Sequence, residues 1–227
     1  MTYKIIPILL LFGLFSFTTL PLTVHKPVVS KLETATFNTI PEDKINTIYN
    51  NLDANNFTLP KSESFTKALK GFYQLKEKGF VKKDVLTLVD FSLSSQKKRL
   101  WVIDLKNNII LFQSLVAHGR NSGNEYAAKF SNKPESNQSS LGFYATGETY
   151  YGKHGYSLRL DGLEKGINSN ARKRAIVIHG ANYVSENFIK QNGRLGRSLG
   201  CPSLPTKISK EIIDTIKNRS CLFVYHT

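Results

Sequence analysis

From residue 41 onward the apolar positions recur with a helical period. Ile45, Ile48, Tyr49 and Leu52 fall at i, i+3, i+4 and i+7, the spacing that lines one face of a helix. A second helix is expected from about Ser62, a residue type that caps helix starts well. Phe65, Ala68, Leu69, Phe72 and Leu75 share its apolar face, and Gly79 ends it. The period then switches. Val85–Phe91, Leu100–Leu105 and Ile109–Val116 are rich in β-branched and aromatic residues. The last two flank Lys106-Asn107-Asn108, a hairpin tip where Asn tolerates positive φ. Tyr156–Leu160 alternates, whereas Ala175–Ile178 is a continuous apolar run, as in a strand buried on both faces. Ile208, Ile212, Ile213 and Ile216 form a third helical stripe before a final strand, Leu222–Tyr225.

This pattern predicts a mainly β chain (α+β overall), a sheet sandwich or barrel behind two short helices. Between Ala117 and Gly155 the composition shifts to Gly, Ser, Asn and Lys with little periodicity. So long an aperiodic stretch inside a domain suggests the walls of a binding cleft. The expected division is a signal peptide or anchor over 1–20, a linker over 21–40, a helical segment over 41–84 and a strand-rich domain over 85–227. The first part rests on Lys4 followed by the uncharged apolar run Ile5–Phe15. That run is short for a membrane span, which needs about 20 residues, and resembles the h-region of a secretory signal. Export to the periplasm or cell envelope is therefore expected, with the N-terminal segment as the sole membrane contact.

Charge sharpens the expectation. The 227 residues carry 31 Lys and Arg against 17 Asp and Glu, a net charge of +14. Such a balance favours polyanions, and for an exported protein these are envelope polymers rather than nucleic acid. The chain has two Cys, too few for a disulfide scaffold or a four-Cys zinc site. The His residues have no metal spacing, no phosphate loop or nucleotide fingerprint occurs, and no cofactor is expected.

Two segments carry chemistry: Ile178-His179-Gly180-Ala181, and Gly196-Arg197-Ser198-Leu199-Gly200-Cys201-Pro202-Ser203. Cys and His form the minimal nucleophile and base pair for acyl transfer, and an imidazolium beside a thiol lowers its pKa. Gly200 leaves room for a carbonyl to approach, and turn N–H groups around 199–201 could stabilise an oxyanion. The competing use of the cysteines is a Cys201–Cys221 disulfide, as exported proteins often contain. Cys221, alternating with Phe223 and Tyr225, reads better as a buried free thiol.

His179-Gly180 followed by Ser198-Leu199-Gly200-Cys201 resembles the H-G…S-x-G-C signature of the L,D-transpeptidases, the YkuD-type catalytic domain. Arg197-Ser198-Leu199-Gly200-Cys201-Pro202 stands where the commoner pattern has S-H-G-C-I-R. The resemblance extends through Ala117-His118-Gly119, Ser139-Ser140-Leu141-Gly142 and Tyr151-Gly152-Lys153-His154-Gly155, covering roughly 85–225. It implies a mostly β domain in which Cys201 attacks the L-centre carbonyl of a peptidoglycan stem tetrapeptide. The terminal D-residue then leaves, and an amine of another stem resolves the thioester. It implies His179 as the base, oriented by a backbone carbonyl of Ser198 or Gly200, with His154, Arg197, Gly180 and Ser203 on the substrate side. Leu199 replaces the usual His and Ser203 the usual Arg, so Arg197, Arg194 or Arg159 is expected to supply that charge. His118 is a weaker candidate. Stem peptides are the expected partner, and the oligomeric state is open. With water as acceptor the same residues give an L,D-carboxypeptidase or endopeptidase, and a degenerate site would leave a non-catalytic wall-binding protein.

Overall fold

A computed structural model describes residues 40–227 and Thr2. The expected signal or anchor, and the linker up to residue 39, lie outside the described residues. Helices α1 (Glu42–Asn50) and α2 (Ser62–Glu77) come first. Strands β1 (Val85–Asp90), β2 (Leu100–Asp104) and β3 (Ile109–Ser114) form an antiparallel meander. The long hairpin β4 (Gly142–Gly152) and β5 (Gly155–Gly162) follows, then β6 (Val177–Gly180), α3 (Glu186–Asn192), β7 (Ser203–Leu204), α4 (Thr206–Ile216) and β8 (Cys221–Tyr225).

The eight strands make one sheet in the order β3-β2-β1-β8-β4-β5-β6-β7. Past its β3 edge, Ala117 bridges Ser203 of β7, with Ala117 N–H donating to the Ser203 carbonyl at 2.9 Å. The sheet thereby curls into a nearly closed barrel. The mainly β architecture behind two helices is thus as expected.

The period-2 alternation of the strands splits the apolar residues into two cores. On β8, Leu222 and Val224 face the barrel interior with Leu100, Val102, Leu158, Ile178 and Leu204, and α4 closes that core with Ile212, Ile213 and Ile216. Cys221, Phe223 and Tyr225 face the other way, onto Phe65, Ala68, Leu69 and Phe72 of α2, together with Leu86, Leu88, Trp101 and Ile103. Gly71 permits this close approach: a Cβ there would lie 2.0 Å from the Phe143 ring of β4.

Several expectations need correction. Lys61, not Ser62, holds the α2 cap position, and Ser62 is the first helical residue. The stretch 117–155 is not uniformly irregular, because 142–152 forms β4, the longest strand. Gly142, Gly147 and Gly152 interrupt its alternation, and its register with β5 shifts between Thr146 and Thr149, so no clean period reaches the sequence. Helix α3 was not anticipated, although Ser185 caps it through Phe188 N–H and Gly193 ends it at φ +67°. The run Ala175–Ile178 becomes a strand only from Val177, with Ala175 at φ +53°.

Candidate active site

Strands β6 and β7 run parallel with His179 opposite Ser203 and Gly180 opposite Leu204. The ladder begins there, so Val177 at the start of β6 and the residues that lead into it have no β7 partner. Cys201, two residues before Ser203, takes that place. Its thiol donates to the Ala175 carbonyl at 3.7 Å, and the Val177 N–H favours the thiolate. Ala175 is held in the left-handed region, which costs an L-residue about 1–2 kcal/mol. Strain of this kind concentrates at functional sites.

The imidazole of His179 is buried, and both of its nitrogens are engaged. Nδ1 lies 2.9 Å from the Gly180 carbonyl and Nε2 lies 3.0 Å from Ser203 Oγ. A carbonyl only accepts, so Nδ1 carries the proton and Nε2 presents its lone pair. The Ser203 hydroxyl then donates to Nε2 and accepts from the Tyr183 hydroxyl at 3.0 Å. Burial pushes the Tyr183 phenol up, so it stays protonated and able to donate. The ring of exposed His154, in the β4–β5 turn, stacks on His179 at 4.3 Å between centroids and 21° between planes.

Dense surrounding protein pushes the Cys201 thiol up although the residue keeps some solvent contact; Val177 N–H and the Arg174 guanidinium oppose that rise. Burial, with His154 nearby, pushes His179 down, against the Gly180 carbonyl. Both directions favour the uncharged forms at rest, a thiol and an imidazole, where the sequence pointed to a thiol depressed by an imidazolium.

The other candidate residues have definite places. Ser198 does not orient His179: its carbonyl accepts from Arg120 N–H, and its hydroxyl donates to the Cys201 carbonyl at 2.6 Å and accepts from Gly200 N–H at 3.0 Å. The Gly200 carbonyl accepts from Ser139 Oγ at 3.3 Å. Both residues shape the turn that carries Cys201, and the Gly200 N–H is already engaged rather than open to an oxyanion. Gly200 has φ +125°, and a Cβ there would meet the Gln138 carbonyl at 2.8 Å. Gly180 is also confined, since a Cβ would lie 2.6 Å from Ser209 Oγ. Arg197 turns away from the thiol and donates to the Gly123 carbonyl and, at 2.7 Å, to Asn124 Oδ1. Arg159 pairs with Glu148, and Arg194 donates to the Leu195 carbonyl. All three are thus engaged by other groups of the fold. His118 accepts from Arg99 at Nδ1 and donates from Nε2 to the Gly123 carbonyl, a structural role. Sequence reasoning missed Tyr183 and the role of Ser203 on the base, because only the β6–β7 register brings them to His179.

Cys201 and Cys221 are both free thiols, and Cys221 is fully buried in the α2-side core. Among the described residues no group of His, Cys, Asp and Glu could hold a metal ion, and no helix is long and apolar enough to cross a membrane.

Comparison with known proteins completes the picture. No curated protein matches the sequence. Among solved structures, an L,D-transpeptidase from Mycobacterium smegmatis is 13% identical over 63% of this chain and 58% of its own, with a TM-score of 0.38. The helical cell shape determining protein Pgp2 from Campylobacter jejuni is 13% identical over 65% of this chain and 49% of its own, with a TM-score of 0.43. An L,D-transpeptidase from Xylanimonas cellulosilytica is 10% identical over 78% of both chains, with a TM-score of 0.36. The chain thus spans less than two thirds of the first two. The family model of the L,D-transpeptidase catalytic domain matches residues 58–225. That span runs from just before α2 through β8, taking in Cys201, His179 and the sheet that holds them, and by it this chain belongs to the L,D-transpeptidase catalytic-domain family.

Proposed function

We propose that the chain is an exported cysteine L,D-transpeptidase acting on peptidoglycan stem peptides. The observation that carries this reading is the seating of Cys201 against the chain that enters β6, its thiol donating to the Ala175 carbonyl, while His179 on β6 keeps Nε2 as an acceptor that the Ser203 hydroxyl occupies at rest. A stem tetrapeptide places its L-centre carbonyl against Cys201. The Ser203 hydroxyl releases Nε2, and the thiol proton passes there as sulfur bonds to the carbonyl carbon, which produces a tetrahedral oxyanion. The C–N bond to the terminal D-residue breaks, and its amine takes the proton from His179. An acceptor amine then attacks the thioester and gives its proton to His179, and the C–S bond breaks to restore the thiol. The Gly180 carbonyl stabilises the imidazolium formed in between through Nδ1–H, in the position that an Asp takes in other triads.

The test is mass analysis of products after incubating purified protein with tetrapeptide stems. A crosslinked dimer lacking one terminal D-residue is expected. A shortened tripeptide alone would make water the acceptor, and unchanged stems would reject the enzymatic reading. Carbapenem labelling separates a reactive site from a binding module: Cys201 should be acylated, which an inert thiol would not be.

A further inference from the structure

Arg174 is a half-buried guanidinium with an unusual set of partners. It donates to the Ser131 carbonyl and Ser140 Oγ from one nitrogen, both at 2.6 Å. From the other it donates to the Gln138 carbonyl at 2.6 Å and Ser136 Oγ at 3.2 Å. All four acceptors are neutral, and among the described residues no carboxylate pairs with it. Its neighbour Arg172, by contrast, is paired with both Glu148 and Asp161. A half-buried guanidinium held only by neutral acceptors keeps its positive charge unneutralised, available to an anion that forms beside it during function. Its location indicates which one. The Arg174 nitrogen that holds Gln138 lies 3.2 Å from where a Gly200 Cβ would be, directly behind the peptide that leads into Cys201.

We propose that Arg174 is the fixed positive charge of this site: it pins the 131–140 wall against Gly200 and faces the sulfur and the oxyanion that develop at Cys201. The proposal rests on the acyl-transfer reading above. It fills the role that sequence reasoning sought in Arg197, Arg194 or Arg159. The other titratable group that acts on the sulfur is the Tyr183 phenol, which burial keeps protonated and neutral, so Arg174 is the cation there. The guanidinium acts on the sulfur through space and through the wall it holds, so it is a positioning residue rather than a nucleophile or base.

The test is the pH profile of Cys201 alkylation by iodoacetamide, mapped by mass spectrometry, in wild type, R174Q and R174K. Loss of an opposing charge should raise the midpoint in R174Q by about one pH unit, so that alkylation at pH 7 slows about tenfold. R174K, which keeps the charge, should stay near wild type. A purely structural role predicts the opposite sign: a loosened wall admits water, relieves desolvation and lowers the midpoint. An unchanged or lowered midpoint in R174Q overturns the proposal. If R174Q does not fold, His179→Ala provides a second measurement. Its midpoint should hold, because the charge facing the sulfur remains, whereas a rise of about one unit would assign the charge to His179 and overturn the proposal. Thioester formation by wild type with stem peptide is scored separately. Its absence beside a shifted R174Q profile would reject the acyl-transfer reading and keep the charge assignment.

Discussion

At the scale of single residues, the two cysteines separate by environment. Cys221 is sealed in the α2-side core, and burial alone pushes its thiol far up, which leaves it inert. Cys201 retains some solvent contact and meets the Ala175 carbonyl and the Val177 N–H. Cys201→Ser should therefore abolish thioester formation, since a hydroxyl is far less ionised than a thiol, while Cys221→Ser should leave turnover largely intact. Intact-mass detection of the acyl-enzyme distinguishes them, and the reverse pattern would refute the assignment. Gly200→Ala is more demanding. The new Cβ would meet backbone, the Gln138 carbonyl, at 2.8 Å in a conformation that L-residues rarely adopt. The 131–140 wall or the Cys201 turn must shift, and misplacement by about 1 Å can cost about 100-fold in rate. Acylation of Gly200→Ala should fall by at least about tenfold with the fold kept, as read by stopped-flow acylation beside circular dichroism.

At the scale of elements, α2 is part of the fold's interior rather than an appendage. Phe65 and Phe72 are fully buried against Leu86, Trp101 and Phe223 of the sheet. Phe72→Ala should therefore destabilise the single unfolding transition by about 3–5 kcal/mol. Urea denaturation followed by Trp101 fluorescence reads this directly, because Trp101 sits in the same core and donates its indole N–H to the Thr58 carbonyl. If the helices were merely docked, the main transition would hardly move. The helical stripes of α1, α2 and α4 were legible because each buries one face only, which leaves a clear 3.6-residue period. Strand β4 was not, because its glycines and its irregular register with β5 erase alternation.

At the scale of the whole molecule, two titration effects and one field effect are expected. Burial and the nearby Arg99 push His118 down to about 4, against about 6.5 in an unfolded chain. Between those values the unfolded state binds the extra proton, so stability falls as the pH drops from about 6.5 to about 4 and is regained as it rises. The loss is at most about 3 kcal/mol, and His118→Gln should flatten the pH dependence of the melting temperature over that window. His179 is also held down by burial, so the proposed base should remain competent somewhat below the usual histidine range, and acylation should persist to mildly acidic pH. The net charge of +14 should bind anionic wall polymers by a long-range attraction. Sedimentation of Cys201→Ala with purified sacculi should weaken as the Debye length shrinks from about 10 Å at 0.1 M salt to about 3 Å at 1 M. Binding insensitive to salt would show that the basic surface is not what holds the polymer.

The amino-acid sequence by itself determined the elements with one clean buried face, the switch from helices to strands near residue 84, and the chemical types at the site. A thiol after Gly200 and an imidazole at the end of an apolar run are the residue types that acyl transfer uses. Tertiary structure decided everything that depends on pairing between distant strands. Parallel β6 and β7 set Ser203, and through it Tyr183, on His179, whose Nδ1 proton goes to its own neighbour Gly180 rather than to Ser198 or Gly200. Closure of the wall brought Arg174 behind Cys201 and turned Arg197 toward Asn124. The last strand, β8, lies in the middle of the sheet between β1 and β4, a placement no local pattern encodes. Side-chain periodicity reports which face of an element is buried, whereas which element buries it, and which polar groups then meet, is settled only when strands far apart in the chain share hydrogen bonds.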